Sequence, residues 1–272
     1  MLADASARAP RLPGVYFFVG AADDLLYVGM ATDLRRRLGQ HARERAAPGL
    51  RDRYRLVRDV VWETHPDIDS AARREADVIV GLRPPHNAWV DDGRWVYLVV
   101  QSVGKGRRSF VLTETLEPSA LVYGCFPYLG RGVSLRAAVT CSDGYVALLR
   151  LIWAAGTDGP PMPARITRSA PPSFEVAMSE GHGKALHAFL SGVSLRLLDE
   201  LWTASQRRDA YLHVALRRDR EAAAAFFAAG PRAIRRIRLR HGLPPGPVTR
   251  RAFEDLLATE VAELIGGRRP GP

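Results

Sequence analysis

The sequence has very little cysteine, with two in 272 residues, and no uninterrupted apolar run near the roughly 18 residues that span a bilayer. Two cysteines, Cys125 and Cys141, exclude a disulfide scaffold and any all-cysteine zinc or iron–sulfur site within one chain. The first residues contain no apolar segment typical of a secretory signal. We therefore expect a cytoplasmic protein without a membrane partner.

Lysine is also nearly absent. Lys105 and Lys184 are the two lysines, and the rest of the 39 basic residues are arginines. Against 29 acidic residues they give a net charge of +10, which makes nucleic acid a candidate partner. An arginine bias from a GC-rich genome is the alternative explanation of the composition. Residues 1–90 are almost balanced in charge, and the densest basic cluster is Arg232, Arg235, Arg236, Arg238 and Arg240.

The first 90 residues predict a β-β-α-β-α order. Strands are indicated by runs of β-branched and aromatic residues, and helices by capping residues followed by an amphipathic pattern. The expected strands are residues 12–19, 25–29 and 59–63; the expected helices begin at Leu34, capped by Thr32 or Asp33, and after Asp69 or Ser70, ending near Leu82. This order predicts an α+β domain over residues 1–92, with a three-stranded antiparallel sheet and flanking helices.

The remainder predicts a mixed region followed by a mainly α-helical one. Strands are expected at 95–101 and 109–114, and a helix in two pieces within 134–155. The expected divisions are a middle region at 93–155, a proline-rich linker at 156–182, a helical hairpin at 183–230 and a basic helical tail at 231–272.

Six short elements in the first domain combine residues suited to phosphodiester chemistry. In chain order they are Gly14-Val15-Tyr16, Tyr27-Val28-Gly29, Arg37, His41, Glu75 and Asn87. Arg37 and His41 are four residues apart on a predicted helix, so they share one face. Each residue by itself is also compatible with an ordinary strand, surface or ion-pair role. Their joint order and spacing favour a site.

With these residues in this order, the segment resembles the GIY-YIG endonuclease family. The resemblance implies that Tyr16 orients or deprotonates the attacking water, with Tyr27 and His41 assisting. Arg37 would neutralise phosphate oxygens, and Glu75 would hold Mg²⁺ or Mn²⁺. It also implies substrate contacts from Gly29, Arg35, Arg36 and Asn87.

The sequence departs from the family pattern after the second motif. In the DNA-repair branch a lysine usually follows its glycine, and here that position is Met30; Asp33 stands where asparagine is common. The alternative function is therefore a catalytically weakened module that binds DNA or UvrB. A nuclease acting on RNA or invading DNA is a third hypothesis.

Residues 122–153 resemble the segment after the nuclease domain in the UvrC family, and residues 187–227 resemble its next helical elements. The resemblance to UvrC and to its short Cho-type homologues implies a single incision in nucleotide excision repair. Double-stranded DNA and UvrB, with UvrA upstream, would be the partners. Arg235 and Arg236 are expected to hold the DNA. The cysteine-rich cluster of UvrC has no counterpart here, so we expect no iron–sulfur cluster.

Overall fold

The computed structural model describes residues 1–46, 54–87, 95–104, 106–116, 121–127, 141–156, 162–168, 171–206 and 210–267. These residues form two compact units. One comprises the described residues before 88 together with 254–267, and the other the described residues between 95 and 253. None of the helices in these ranges is long and apolar enough to cross a membrane.

The first unit contains the expected three-stranded antiparallel sheet, in the order β2-β1-β3. Its strands are β1 (Gly14–Val19), β2 (Leu25–Ala31) and β3 (Asp59–Thr64). Every residue of β1 is buried, as expected of a central strand whose faces are both covered. β1 pairs with both neighbours, so it is the central strand of this sheet.

Three helices surround this sheet: α1 (Leu2–Arg8), α2 (Leu34–Ala46) and α3 (Ile68–Leu82). Side chains from α1 and α2 share a core with Tyr16 and Phe18 of β1. The sequence analysis missed α1, which is only 7 residues long. The spacing of its buried residues, Leu2, Ala5 and the following Ala9, was the available signal.

The two longer helices of this unit test the capping expectations. Asp33 caps α2, since its Oδ1 accepts the backbone N–H of Arg36 at 2.8 Å. The expected cap of α3 is wrong. Asp67 caps that helix, because its Oδ1 accepts the backbone N–H of Ser70 at 2.6 Å. The helix ends at Leu82, where Arg83 adopts the left-handed conformation.

The second unit contains a four-stranded antiparallel sheet in the order β6-β4-β5-β7. Its strands are β4 (Trp95–Ser102), β5 (Arg107–Thr113), β6 (Leu121–Pro127) and β7 (Ser173–Ala177). The two strands expected at 95–101 and 109–114 correspond to β4 and β5, which pair directly. The sequence analysis did not predict β6 or β7.

The segment expected to be a proline-rich linker contains regular structure. It carries the short helix α5 (Ala164–Arg168) and the edge strand β7, which pairs with β5. Phe174 and Val176 alternate with exposed residues and are buried, a pattern typical of a half-buried strand. All five prolines of this segment precede the strand, so they do not interrupt its hydrogen bonds.

The longer helices between residues 141 and 240 belong to the same unit as the second sheet. They are α4 (Cys141–Gly156), α6 (Glu180–Leu190), α7 (Arg196–Ser205), α8 (Ala210–Ala229) and α9 (Pro231–Arg240). The expected first piece of the 134–155 helix lies largely outside the described residues. α7 and α8 both pack against α4. An ion pair between Arg150 of α4 and Asp219 of α8 joins these helices.

The expected tail at 231–272 is divided between the two units. α9 packs against α8 and β6, and the backbone of Val248 exchanges two hydrogen bonds with Gly124 and Cys125. The last helix, α10 (Arg250–Gly266), joins the first unit from Glu254 onward. Cys125 is buried in the second unit.

A buried ion-pair network attaches α10 to the first unit. Arg74 of α3 donates two hydrogen bonds to Glu63 of β3, at 3.0 and 2.9 Å, and a third to Glu260 at 2.7 Å. Arg74 is 5% exposed and Glu260 1%. Because buried charges need partners, this network constrains where α10 lies against α3.

Removal of the shared cation tests this network. We expect Arg74→Met to lower the free energy of unfolding by about 3–5 kcal/mol, because the buried carboxylate of Glu260 and the half-buried carboxylate of Glu63 lose this cation. Urea denaturation followed by circular dichroism measures it. Arg73→Met is the matched control, since Arg73 is its neighbour on α3 and makes no ion pair within the described ranges. Equal losses in the two variants would contradict the role of Arg74.

Candidate active site

The hydroxyl of Tyr16 lies at the centre of the candidate site. Tyr16 is 1% exposed, in the middle of the buried strand β1. Its Oη lies 2.8 Å from Nε2 of His41, and Arg37 donates to it from Nε at 3.3 Å. Arg37 and His41 are one turn apart on α2, as their spacing predicted. Three residues of the sequence pattern therefore converge on one phenolic oxygen.

The glycine of the second motif is required by this arrangement. Gly29 of β2 pairs directly with Tyr16 in the sheet register. A Cβ at position 29 would overlap the Tyr16 hydroxyl and lie 2.9 Å from Cε1 of Tyr27. The ring of Tyr27 packs beside Tyr16, with centroids 6.1 Å apart. Position 29 therefore accommodates only a residue without a side chain.

Burial controls the chemistry of the central phenol. It raises the pKa of Tyr16 well above its usual value, and the neighbouring Tyr27 adds to the effect, although Arg37 opposes it. A free tyrosinate is therefore strongly disfavoured at neutral pH. Proton transfer at Tyr16 needs an acceptor in contact with its hydroxyl, and Nε2 of His41 occupies that place.

The outer edge of β2 is hydrogen-bonded by the segment that carries Glu75 and Asn87. Asn87 pairs with both backbone groups of Val28, accepting at Oδ1 (2.9 Å) and donating from Nδ2 (2.7 Å). The backbone N–H of His86 donates to the carbonyl of Leu26 at 3.0 Å. The side chain of Asn87 is thereby committed to the strand edge, which makes it a positioning residue for β2.

Glu75 meets the same strand edge two residues further on. Its Oε1 accepts the backbone N–H of Met30 at 3.1 Å. Burial raises its pKa, whereas that hydrogen bond and the nearby charge of Arg37 lower it. Arg74, the preceding residue, pairs with Glu63 and Glu260 instead. Glu75 is therefore not neutralised by its neighbour in sequence.

Glu75 fits a site for a hard divalent cation. Its second oxygen, Oε2, has no hydrogen-bond partner in the part of the chain that the structure describes. Within those same residues no group of three or more His, Cys, Asp or Glu side chains could enclose a metal ion. One carboxylate with waters and substrate phosphates is a common way for proteins to bind Mg²⁺.

A cavity of about 160 Å³ opens beside these residues. Tyr27, Arg37 and His41 line it, together with Glu44, Tyr54 and two further residues. The sequence analysis missed Glu44 and Tyr54. The oxygen of Tyr54 lies 2.9 Å from Nδ1 of His41 and donates to Oε2 of Glu44 at 2.8 Å. The spacing of Glu44 three residues after His41 on a helix was the one signal for it.

Some of the predicted substrate-binding residues do not join this cluster. Arg35 donates from Nε to the carbonyl of Ala9 at 2.8 Å, so its side chain supports the contact between α1 and α2. Arg36 is exposed on α2. Arg235 and Arg236 lie on α9, in the second unit. The cluster itself consists of Tyr16, Tyr27, Gly29, Arg37, His41, Glu75 and Asn87.

Comparison with known proteins agrees with this geometry. Residues 12–87 match the family model of the GIY-YIG catalytic domain. The chain is 29% identical over 236 residues to the UvrABC system protein C of Tropheryma whipplei (strain Twist), covering 79% of this chain and 37% of that protein. It is 29% identical over 230 residues to the protein of that name from Rhodospirillum rubrum, covering 78% and 34%. With the one from Methanococcoides burtonii it shares 30% over 125 residues, covering 45% and 20%.

The chain thus spans less than two fifths of the length of these relatives. The resemblance found from the sequence motifs is confirmed for residues 12–87, and similarity to UvrC extends over most of the chain.

The role of Asn87 can be tested without any activity. We expect Asn87→Ala to accelerate hydrogen exchange of the Val28 amide by about 10-fold or more, because that amide loses its acceptor. Amide exchange followed by NMR measures it. His86→Ala is the matched control, since the adjacent contact uses the backbone of His86 and not its side chain. Unchanged protection of Val28 in Asn87→Ala would contradict this role.

Proposed function

We propose that this chain, which carries a GIY-YIG domain at residues 12–87, is a DNA endonuclease that hydrolyses a phosphodiester bond at the Tyr16 site. The convergence of Arg37 and His41 on the buried Tyr16 hydroxyl is the observation that carries the proposal. An ordinary core tyrosine needs one hydrogen-bond partner, whereas this one contacts both a cation and an imidazole. That combination suits proton transfer beside an anionic substrate.

Each residue of the cluster has a separate role in this proposal. Tyr16 receives a proton from the attacking water while its own hydroxyl proton moves to His41. Arg37 presents its planar guanidinium to the nonbridging phosphate oxygens and stabilises the charge that develops there. Tyr27 packs against Tyr16 and lines the cavity that opens beside Arg37 and His41.

Glu75 is the residue that would hold a divalent metal ion, Mg²⁺ or Mn²⁺. Such an ion supplies charge neutralisation at the phosphate and a lower pKa for a bound water. Oε1 of Glu75 is held by the backbone of Met30, so the carboxylate is oriented before a metal arrives. Burial raises its pKa, and a cation bound beside it would favour its ionised form.

The biological setting that we propose is excision repair in the cytoplasm. Similarity to UvrC proteins over 79% of the chain supports this setting. On this view the enzyme makes a single incision in damaged or distorted double-stranded DNA. UvrB would deliver that substrate, with UvrA acting upstream.

Glu75 provides the direct test of the nuclease. We expect Glu75→Gln and Glu75→Ala to reduce plasmid nicking by about 100-fold or more in Mg²⁺ or Mn²⁺, because the metal loses its carboxylate. DNA affinity, measured by fluorescence anisotropy, should change little. Asp77→Asn is a control that removes a carboxylate from the same helix outside the candidate site. Undiminished cleavage by Glu75→Ala would remove Glu75 from the mechanism.

The second candidate function is a non-catalytic module that binds DNA or UvrB. Met30 favours it, because this position lacks a basic side chain beside Glu75. The two candidates differ in a nicking assay with an end-labelled lesion duplex, with and without UvrA and UvrB. DNA binding without incision in either metal would favour the module.

The arginines of α9 are proposed to hold the DNA backbone. Pro231, Ala233, Ile234 and Ile237 are buried, and the arginines occupy the remaining faces of this helix. Burial and the nearby charge of Arg235 lower the pKa of Arg238. A bound anion reduces the repulsion between neighbouring positive charges, and the phosphate backbone of DNA supplies such anions.

Salt dependence tests this interface. We expect the double variant Arg235→Ala, Arg236→Ala to bind DNA more weakly. The slope of log affinity against log salt concentration should become less steep, by about 0.9 for each phosphate that is no longer neutralised. Arg217→Ala combined with Arg218→Ala is the matched control, since both of those arginines are exposed on α8 of the same unit. Equal changes in both double variants would assign the effect to net charge alone.

A further inference from the structure

His41 is bonded at both ring nitrogens, although it is almost fully buried. It is 5% exposed; Nε2 faces Tyr16 and Nδ1 faces Tyr54. A neutral imidazole carries one proton, so one nitrogen donates and the other accepts. Which nitrogen carries it decides whether His41 can accept the proton of Tyr16.

The partners of Tyr54 determine that choice. Tyr54 has a single hydroxyl proton, and it donates this proton to Oε2 of Glu44 at 2.8 Å. An ionised carboxylate only accepts hydrogen bonds. The Tyr54 oxygen must therefore accept from His41, which places the imidazole proton on Nδ1. Nε2 then carries a lone pair directed at the Tyr16 hydroxyl.

The other contact of Tyr16 supports the same assignment of the proton to Nδ1. Arg37 donates to the Tyr16 oxygen, because a guanidinium has no acceptor atom. The hydroxyl proton of Tyr16 is thus directed at Nε2 of His41. The four side chains form one directed chain of hydrogen bonds, from Tyr16 through His41 and Tyr54 to Glu44.

We propose that Tyr54 and Glu44 are positioning residues that hold His41 as its Nδ1–H tautomer, and so make it the proton acceptor for Tyr16. This inference rests on the proposed function. Both residues line the cavity beside His41, and the proposal assigns them no bond to the substrate. They act through His41, and Glu44, 3.5 Å from Nδ1, also favours the imidazolium that forms when the proton arrives.

The proton balance of the step is complete within these groups and solvent. The water oxygen forms the new bond to phosphorus and loses a proton to the Tyr16 oxygen, which passes its own proton to Nε2. The bond between phosphorus and the leaving oxygen breaks, and that oxygen takes a proton from solvent. His41 then returns its proton to solvent through the cavity that it lines.

The titratable and charged groups that surround the His41 ring come from four elements. They are Tyr16 of β1, Tyr27 of β2, Arg37 and Glu44 of α2, and Tyr54 before β3, and His86 lines the same cavity after α3. Glu44 is the carboxylate within this set. It is therefore the group that compensates a positive charge on the imidazole.

Nitrogen-15 NMR of the histidine rings tests the tautomer on the intact chain, without DNA or metal. We expect the wild-type protein to show His41 as the Nδ1–H form, with its signals identified by their loss in His41→Gln. Tyr54→Phe keeps the ring and removes the hydroxyl, so Nδ1–H loses its acceptor. In this variant the population should move to the Nε2–H form.

The chain offers a matched control and a conservative variant. Tyr123 contacts Nδ1 of His187 at 2.8 Å in the second unit, so Tyr123→Phe should change the signals of His187 and not those of His41. Glu44→Gln keeps an oxygen acceptor for Tyr54 and should retain the Nδ1–H form, whereas Glu44→Leu should lose it. Glu44 is 41% exposed, so both of its variants should fold.

The nicking assay supplies the second readout. We expect Tyr54→Phe and Glu44→Leu to lower kcat about 10-fold or more with little change in KM, and Glu44→Gln to retain most of the activity. An Nε2–H tautomer in the wild-type protein, or an unchanged tautomer in Tyr54→Phe, would overturn the inference. A wild-type Nδ1–H tautomer in a protein that cuts no DNA would instead overturn the proposed function and leave the tautomer assignment intact.

Discussion

The candidate site depends on one buried phenolic hydroxyl at the centre of a fully buried strand. Tyr16 is almost fully buried, so its hydroxyl must find partners inside the protein. Helix α2 supplies them from one face, with Arg37 and His41 a single turn apart. The neighbouring strand β2 must leave room for the same oxygen, which restricts position 29 to glycine. The motif spacing, the helix and the strand register all follow from satisfying this one group.

The second constraint is the open edge of β2. An edge strand presents unpaired backbone groups, and proteins cover such edges. Here the covering groups are the carboxylate of Glu75, the amide of Asn87 and the backbone of His86. The same contacts that cap the strand also bring Glu75 close to Arg37. The positive charge of Arg37 opposes the rise in the Glu75 pKa that burial causes. The contacts that cover the edge of β2 therefore also position Glu75, the proposed metal-binding residue.

Local signals predicted the first unit well and the second unit less well. The structure confirmed the three strands of the first unit, which their β-branched and aromatic residues had indicated. It also confirmed α2, which Asp33 caps. Strand β7 was missed because five residues that follow a proline-rich stretch look like part of a linker until β5 supplies a pairing partner. For the helical hairpin expected at 183–230, only the packing of α8 against α4 shows where its apolar face goes.

The sequence by itself determined the order of elements in the first domain and the residue types that its chemistry needs. These signals are local, since they depend on side-chain period, capping and the spacing of motif residues along the chain. Only the tertiary structure decided the partners of His41 and Arg74. Tyr54 and Glu260 reach them from 13 and 186 residues away, and no periodicity or spacing encodes contacts of that kind. Buried polar groups must be paired, and the three-dimensional packing of the whole chain selects the pairs.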